Sequence, residues 1–411
     1  MSGDALPDRL APADWWQDAA LLALCTVLDS GGQGEHARFV GGAVRDSLIG
    51  VPVKDVDIAT IHPPHEVMRR LKEAGIRSVP TGIDHGTVTA ILDRGPVEIT
   101  TLRRDVATDG RRATVAFAND WREDAARRDF TMNALYAEPV TGLIHDYFGG
   151  RVDLLAGHVR FIGDARARID EDHLRILRYF RFLARFGEAD RESADYAACV
   201  DKAPTLMALS RERVADELLK LLATRDPVPA LALMIEGGIF GPILPEVDGA
   251  GVERVAALLA REAVMDQVPD GLLRLIALLP EDAAIAERVA ARLKLSNKAR
   301  ARIATALGKG VEGDVRRLAY RLGTRGALDR IALGRAARPQ DAALVAGWAV
   351  PRLPVSGGEL IARGLTAGPD VARVLKSVEE AWMAAGFPDI DAALRIADQQ
   401  VADWLRSSQK A

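Results

Sequence analysis

Cysteine is nearly absent: the 411 residues hold two, Cys25 and Cys199. They are far apart in sequence and too few for a four-ligand zinc site, so disulfides are not expected and a reducing cytoplasm is the expected setting. Histidine is scarce too, and all seven (36, 62, 65, 85, 145, 158 and 173) precede Leu174, which leaves the second half without the ligands of a histidine-based metal hydrolase. Long apolar runs are missing. The longest near the start is Ala19–Leu28, preceded by Asp14 and Asp18 where an export signal would be basic, and ten residues do not cross a bilayer. No Gly-x4-Gly-Lys-Ser/Thr segment occurs, which removes the P-loop ATPases, and no internal repeat of fixed period is present.

What is present is globular: 48% hydrophobic and 27% charged residues, at a length that fits two or three domains. The net charge of −4 argues against a wholly basic coat for nucleic acid, yet residues 298–335 carry ten Lys or Arg against three acids, a local balance of +7. A polyanion can dock on such a stretch, or it can be a solvated helix face. Lysine supplies nine of the 54 basic residues, an imbalance that drift in composition explains as readily as phosphate recognition.

Helical spacing is expected over residues 13–29, ended by Gly31 and Gly32, followed by β-rich runs at 38–40, 56–58, 88–92 and 97–100. Residues 103–120 are polar, Arg-rich and broken by glycine, a helical pattern runs over 121–134, and a strand-like pair stands at Leu143-Ile144. From Asp170 onward the segments are amphipathic and helical, punctuated by Pro227, Pro229, Pro242, Pro245, Pro280 and Pro351. The expected fold class is therefore α+β: a mixed-sheet head over residues 1–157, a helical neck over 158–225, and a helical body and tail over 226–411.

Three constellations carry chemistry. Phe39-Val40-Gly41-Gly42-Ala43-Val44-Arg45-Asp46 reads as a strand entering a helix through two glycines, where exposed N–H groups suit an anion and Gly42 and Arg45 would face a triphosphate; on its own the segment equally reads as a plain strand–helix turn. Asp55-Val56-Asp57-Ile58 places two carboxylates at i and i+2, hence on one face of a strand, with Val56 and Ile58 directed to the core. Two acids on one face repel unless cations lie between them, which fits a pair of Mg2+ ions; the competing reading is a wet edge strand. Glu98, flanked by Val97 and Ile99, would complete the metal shell or accept a proton if its strand neighbours that of Asp57; otherwise it is an outward glutamate.

Taken in order, these motifs resemble a known family. Gly41-Gly42-x-Val44-Arg45-Asp46 with Leu48-Ile49-Gly50 and Lys54-Asp55-Val56-Asp57-Ile58-Ala59-Thr60 is similar to the signature of the class II CCA-adding tRNA nucleotidyltransferases and bacterial poly(A) polymerases, within the polymerase-β superfamily. Arg127-Arg128-Asp129-Phe130-Thr131-x-Asn133, Phe148-Gly149-Gly150, Glu171-Asp172-x-x-Arg175-x-x-Arg178 and Ser210-x-Glu212-Arg213 with Glu217 resemble the family's later motifs. The resemblance implies addition of C and A to the tRNA 3′ end from CTP and ATP, with Mg2+ on Asp55 and Asp57. It implies nucleotide contacts from Arg128 and Asp129, a base-reading role for the Asp172 motif, and a flexible loop at 103–120 that aids the switch from CTP to ATP.

The base-reading motif also has a physical reading. On one continuous helix Asp172, Arg175 and Arg178 span an arc of about 120°, with Arg181 beyond, and no acid follows Asp172 until Glu188, so these arginines are expected to await an anion or a base. Cytosine and adenine both offer an amino donor beside a ring-nitrogen acceptor, which Asp172 accepting and Arg175 donating would match, while uracil and guanine would be opposed. Arg178 and Arg181 would hold base or triphosphate. Asp129 would bond a ribose 2′-hydroxyl with Arg128 near the phosphates, or the two form a helix-surface ion pair. Poly(A) tailing, A-only or C-only addition, an inactive RNA-binding module and a small-molecule nucleotidyltransferase remain alternatives on sequence grounds.

Overall fold

A computed structural model describes residues 6–31, 33–109, 112–309 and 313–408, with the side chains of 105–116 excepted. The chain divides into two compact units, one of residues 1–256 with 269–296 and the other of 257–268 with 297–411. The expected head and neck boundaries at 157 and 225 fall inside the first.

Among the described residues of the first unit, seven strands form one mixed sheet, in the order β3-β4-β5-β2-β1-β8-β9. They are β1 (Ala37–Val40), β2 (Asp57–Thr60), β3 (Ser78–Gly82), β4 (Thr87–Leu92), β5 (Gly95–Thr101), β8 (Leu135–Ala137) and β9 (Ile144–Asp146). The strands' period of two divides the sheet's faces. Phe39, Ile58, Val88 and Ile99 point to the face covered by α1 (Ala19–Leu28) and α3 (Pro64–Glu73), where Leu21, Leu24, Val67 and Leu71 complete a core. Val40, Ala59, Trp121 and Tyr136 belong to the second cluster. Asp57 shares the parity of Ala59, so it opens on that second face.

The sheet enters α2 (Gly42–Leu48) through Gly41, whose φ of 69° is a left-handed conformation that a side chain would disfavour. Within residues 103–120, which the resemblance marks as a flexible loop, β6 (Arg103–Asp109) and β7 (Arg112–Phe117) pair as a two-stranded antiparallel ladder, while residues 110 and 111 lie outside the described residues. The expected helix over 121–134 is corrected. α4 (Trp121–Ala126) ends early, because Phe130 is extended and forms an isolated bridge with Phe161, and Asp129 Oδ1 accepts its own neighbour's N–H from Phe130 at 2.8 Å. A 3₁₀ turn, Thr131–Asn133, then leads into β8. The first helix likewise starts at Ala19 rather than 13, where Asp18 caps the N–H of Leu21 at 2.9 Å.

The rest of the first unit is helical: α5 (Gly150–Ala156), α6 (Ala165–Glu171), α7 (Arg175–Phe186), α8 (Ala194–Lys202), α9 (Arg211–Leu222), α10 (Val228–Glu236), the start of α11 (Gly249–Val264), whose residues from 257 onward belong to the second unit, α12 (Gly271–Leu278) and α13 (Ala283–Arg292). In α7 the apolar stripe Ile176, Leu177, Tyr179, Phe180 and Leu183 is buried, which leaves its arginines on the other side. In the first turn of α8, burial is the largest influence on Asp195 and, with Asp153 adding to it against the Phe161 N–H and Arg160, lifts its carboxyl to about 6. A proton held more tightly in the folded chain means that stability is complete below the ordinary aspartate value of 3.8 and declines as pH rises from there to about 6. Asp195→Asn is therefore expected to gain roughly 1–2 kcal/mol over the native chain at pH 7.5 and nothing at pH 4, read by denaturant melts at both.

The second unit contains α14 (Asn297–Leu307), α15 (Val315–Ala332), α16 (Gly357–Ala362), α17 (Pro369–Ala384) and α18 (Ile390–Ser408). Its basic stretch is less bare than its local charge balance implies. Arg302 bonds Asp329 at 2.7 and 2.9 Å, Arg317 and Arg321 meet Glu379 and Glu380 of α17, and buried Arg330 donates to the carbonyls of Thr305 and Gly308. Glu312 lies outside the described residues. No helix among the described residues is long and apolar enough to cross a membrane.

Candidate active site

β2 and β5 run parallel with Asp57 opposite Glu98, and both side chains are exposed while Val56, Ile58, Val97 and Ile99 are buried. Asp55 precedes β2 and is exposed as well, so the three carboxylates alternate with core residues on the open face. Their charges meet. Although the Asp57 side chain reaches solvent, the surrounding protein partly desolvates it, and this, then the neighbouring Glu98, and to a smaller extent Asp55, push its carboxyl up, with the Arg128 guanidinium opposing them. Among the described residues no three acids, histidines or cysteines close into a complete metal cage. A divalent ion that takes two carboxylates and fills its remaining positions with water and substrate phosphates would find its protein ligands in Asp55 and Asp57.

Arg128 reaches the same place from another element. Its Nη1 lies 3.5 Å from where a Cβ on Gly41 would stand, so the glycine turn and this guanidinium are adjacent. Buried Asp124 holds it there: Asp124 Oδ2 accepts from Arg128 Nη2 at 3.3 Å and from the Tyr136 hydroxyl at 2.7 Å, and Arg128 Nε donates to Tyr136 at 3.2 Å. Although burial resists ionisation, Arg128 and Arg127 hold the Asp124 carboxyl down at about 2.

Arg45 is buried, not solvent-facing. Its Nε and Nη2 donate to Asp46 Oδ1 at 2.8 and 2.7 Å and its Nη1 to Asn133 Oδ1 at 2.5 Å. Asn133 Nδ2 donates to Asp129 Oδ1 at 2.9 Å, and Asp129 Oδ2 accepts a fork from Arg178 at 2.8 and 2.5 Å. Burial opposes the charge on Asp129, but Arg178 outweighs it and holds the carboxyl low.

A profile described as the poly A polymerase head domain matches residues 37–160, and one described as a probable RNA and SrmB-binding site of polymerase A matches 194–250. A mitochondrial CCA tRNA nucleotidyltransferase 1 of Danio rerio is 35% identical over 84% of this chain and 83% of its own length. The chain belongs to the CCA tRNA nucleotidyltransferase family. The human relative of the same name is 33% identical over 86% of this chain and 84% of its own. A Bacillus stearothermophilus CCA-adding enzyme solved in complex with CTP superposes with a TM-score of 0.73 at 27% identity, covering 95% of this chain and 98% of its own. A Thermotoga maritima CCA-adding enzyme complexed with tRNA shares the fold at 20% identity and a TM-score of 0.67 over 94% and 96%.

Within this family member the expected single base-reading helix is corrected. α6 stops at Glu171, Asp172 is extended (φ −154°, ψ 104°), and α7 starts at Arg175, so the three residues do not share one helical arc. The arginines are not bare either. Arg175 bonds Glu171 Oε2 at 2.5 Å and the carbonyls of Arg168 and Arg127, Arg181 bonds Glu217 at 2.6 Å, and Asp172 Oδ2 accepts from Arg213 at 2.8 Å. The acids come from other elements, which the spacing within one helix does not register. Asp124 and Tyr136 escaped the sequence reading altogether. Asp46, Asn133 and Glu217 stood inside quoted motifs without an assigned role; Asp46 and Asn133 lie close in sequence to Arg45 and Asp129, whereas Glu217 has no assigned arginine or aspartate near it.

Proposed function

We propose that the chain adds C, C and A to the 3′ end of tRNA from CTP and ATP, by in-line attack of the 3′-hydroxyl on the α-phosphate with release of pyrophosphate. The observation that carries this reading is the Asp57–Glu98 register on the open face of the sheet, beside the glycine turn and Arg128. Asp55 and Asp57 would hold Mg2+, which when bound acidifies the hydroxyl and neutralises charge on the phosphates. Glu98, outside that pair, takes the hydroxyl's proton on its carboxylate. Arg128 lies against the triphosphate turn, with Gly42 at its helix start, and Asp129 faces the ribose.

Base selection falls to Asp172 and Arg175, with Arg178 and Arg181 holding the nucleotide beside them. The partner of Asp172 is exchangeable: the Asp172–Arg213 pair is about two-fifths exposed on average and rests on one bond. Such a pair contributes roughly 0–1 kcal/mol, whereas a matched bidentate base contact is worth about 1–3, so cytosine or adenine displaces Arg213 and a mismatched base does not. Exposed Lys298, Lys309 and Arg316 of the second unit would meet tRNA phosphates. A reducing compartment, the cytoplasm in the simplest case, suits the two buried free thiols, although the vertebrate relatives are named as mitochondrial.

The test is direct. Purified protein with Mg2+ and labelled CTP and ATP is given tRNA transcripts ending at the discriminator base, at C, and at CC; completion of each to CCA is expected. Long A-tails on any of them would overturn the reading in favour of a poly(A) polymerase.

A further inference from the structure

Arg185, near the end of α7, lies outside the nucleotide contacts assigned above, yet its Nη2 donates to Asp46 Oδ2 at 2.9 Å. Asp46 Oδ1 is already taken twice by Arg45, and Arg185 is the partner of Oδ2 among the described contacts. The bond closes a circuit of groups that begins and ends on one helix. It runs from Arg185 through Asp46, Arg45, Asn133 and Asp129 to Arg178, and from there by Glu217, 3.7 Å from Arg178 and 2.6 Å from Arg181, back to α7. The charged members alternate in sign, and the Asn133 amide joins the half beside the glycine turn to the half that carries Asp129.

The ring of Phe186 meets the guanidiniums of both Arg45 and Arg185, at 4.3 and 4.7 Å from its centroid. Two contacts, one ionic and one through an aromatic ring, thus tie Arg185 to Arg45. We propose that Arg185 is a positioning residue for the incoming nucleotide, acting through Asp46 to hold Arg45 against Asn133. This inference rests on the functional reading above.

The physical reason lies in the geometry of the carboxylate. Asp46 is mostly buried, with 12% of its side chain exposed, so Oδ2 without Arg185 would lack a donor. Arg45 presents a planar fork, and the carboxylate relieves the loss by turning both oxygens onto it. That rotation draws Arg45 Nη1 off Asn133, and the Asn133 amide then no longer fixes Asp129. The turn at Gly41 and Gly42 and the Asp129 carboxylate lose their common reference before any nucleotide arrives. A defect of this kind weakens binding of CTP and ATP and leaves the chemical step alone.

The experiment compares Arg185→Ala, Arg185→Lys, Asp46→Asn and the Arg185→Ala/Asp46→Asn double variant, each checked for an intact melting transition. It reads KM for CTP, KM for tRNA and kcat, and it measures CTP affinity directly by equilibrium dialysis. The expected result for Arg185→Ala is a rise of about tenfold in KM and Kd for CTP, with kcat and KM for tRNA within about twofold. Lysine at 185 can still give one bond to Oδ2 and restores most of the affinity. The double variant matches Asp46→Asn alone. An unchanged CTP affinity in Arg185→Ala, a rise in KM for tRNA instead, or losses that multiply in the double variant would overturn the proposal. If the native protein itself fails to extend tRNA, the functional reading falls, and dialysis with CTP still judges Arg185 on its own.

Discussion

Asp57→Ala is expected to lower tRNA 3′-extension by at least about 10³-fold, equivalent to about 4 kcal/mol of transition-state stabilisation, while the protein stays folded. The size follows from the proposed role: with Asp57 gone, Asp55 would be left as a single ligand and would hold the divalent ion too weakly to serve the nucleophile and the triphosphate. The stability expectation runs the other way. Partial desolvation and the charge of Glu98 push the Asp57 carboxyl up, so its ionised form is unfavourable in the folded chain above the ordinary aspartate range. Removing it relieves that repulsion, and the melting temperature should be unchanged or higher. A rate loss paired with an undamaged fold separates a catalytic carboxylate from a structural one; a loss of both, or of neither, would count against its assignment.

Asp124→Ala should behave in the opposite manner, with stability falling first. The side chain is buried and takes bonds from Arg127, Arg128, Tyr136 and the N–H of Arg103. Truncation leaves a buried guanidinium and a buried phenol without their acceptor, a defect that costs roughly 3–5 kcal/mol. The pH dependence has a definite sign. Because the folded carboxyl is held at about 2, below the ordinary 3.8, its stabilisation is present above 3.8 and is lost as pH falls toward 2. Native protein should therefore lose about 2–3 kcal/mol across that interval from this group, and Asp124→Ala should not. Urea midpoints at pH 7, 4 and 2 check it, and activity should fall with stability because Arg128 is no longer held beside Gly41.

Much of the acid centre was legible in the chain. The alternation Asp55-Val56-Asp57-Ile58 needs only a strand's period of two, and the structure buries Val56 and Ile58 while leaving both acids open. The partnership with Glu98 was not derivable, because it depends on β2 pairing in parallel with a strand that begins at Gly95, after an intervening helix and two more strands. The arginines of α7 show the same limit. The helix itself holds no acid and Glu171 and Asp172 stand just ahead of it, while Asp129, Glu217 and Asp46 arrive from the head and from α9. Asp129 was misplaced on a helix for a different reason: its own carboxylate, bonding the next backbone N–H, favours the extended turn that ends the helical pattern. β3 carries Pro80 and sits at the sheet's edge, and β8 is three residues buried throughout, so neither shows an alternating pattern. In the second unit the helices were readable, whereas the neutralisation of Arg317 and Arg321 by Glu379 and Glu380 was not, since about 60 residues part the partners.

In the proposed reaction Asp55 and Asp57 together bind a divalent ion under a ribonucleoside triphosphate. Mn2+ binding, followed by electron paramagnetic resonance of the free ion in the presence of CTP and absence of tRNA, tests it without any turnover. The native protein should remove Mn2+ from solution in a CTP-dependent manner beyond what CTP alone removes, and Asp55→Ala and Asp57→Ala should each abolish that excess. Native-like Mn2+ uptake by the folded Asp57→Ala protein would contradict the account.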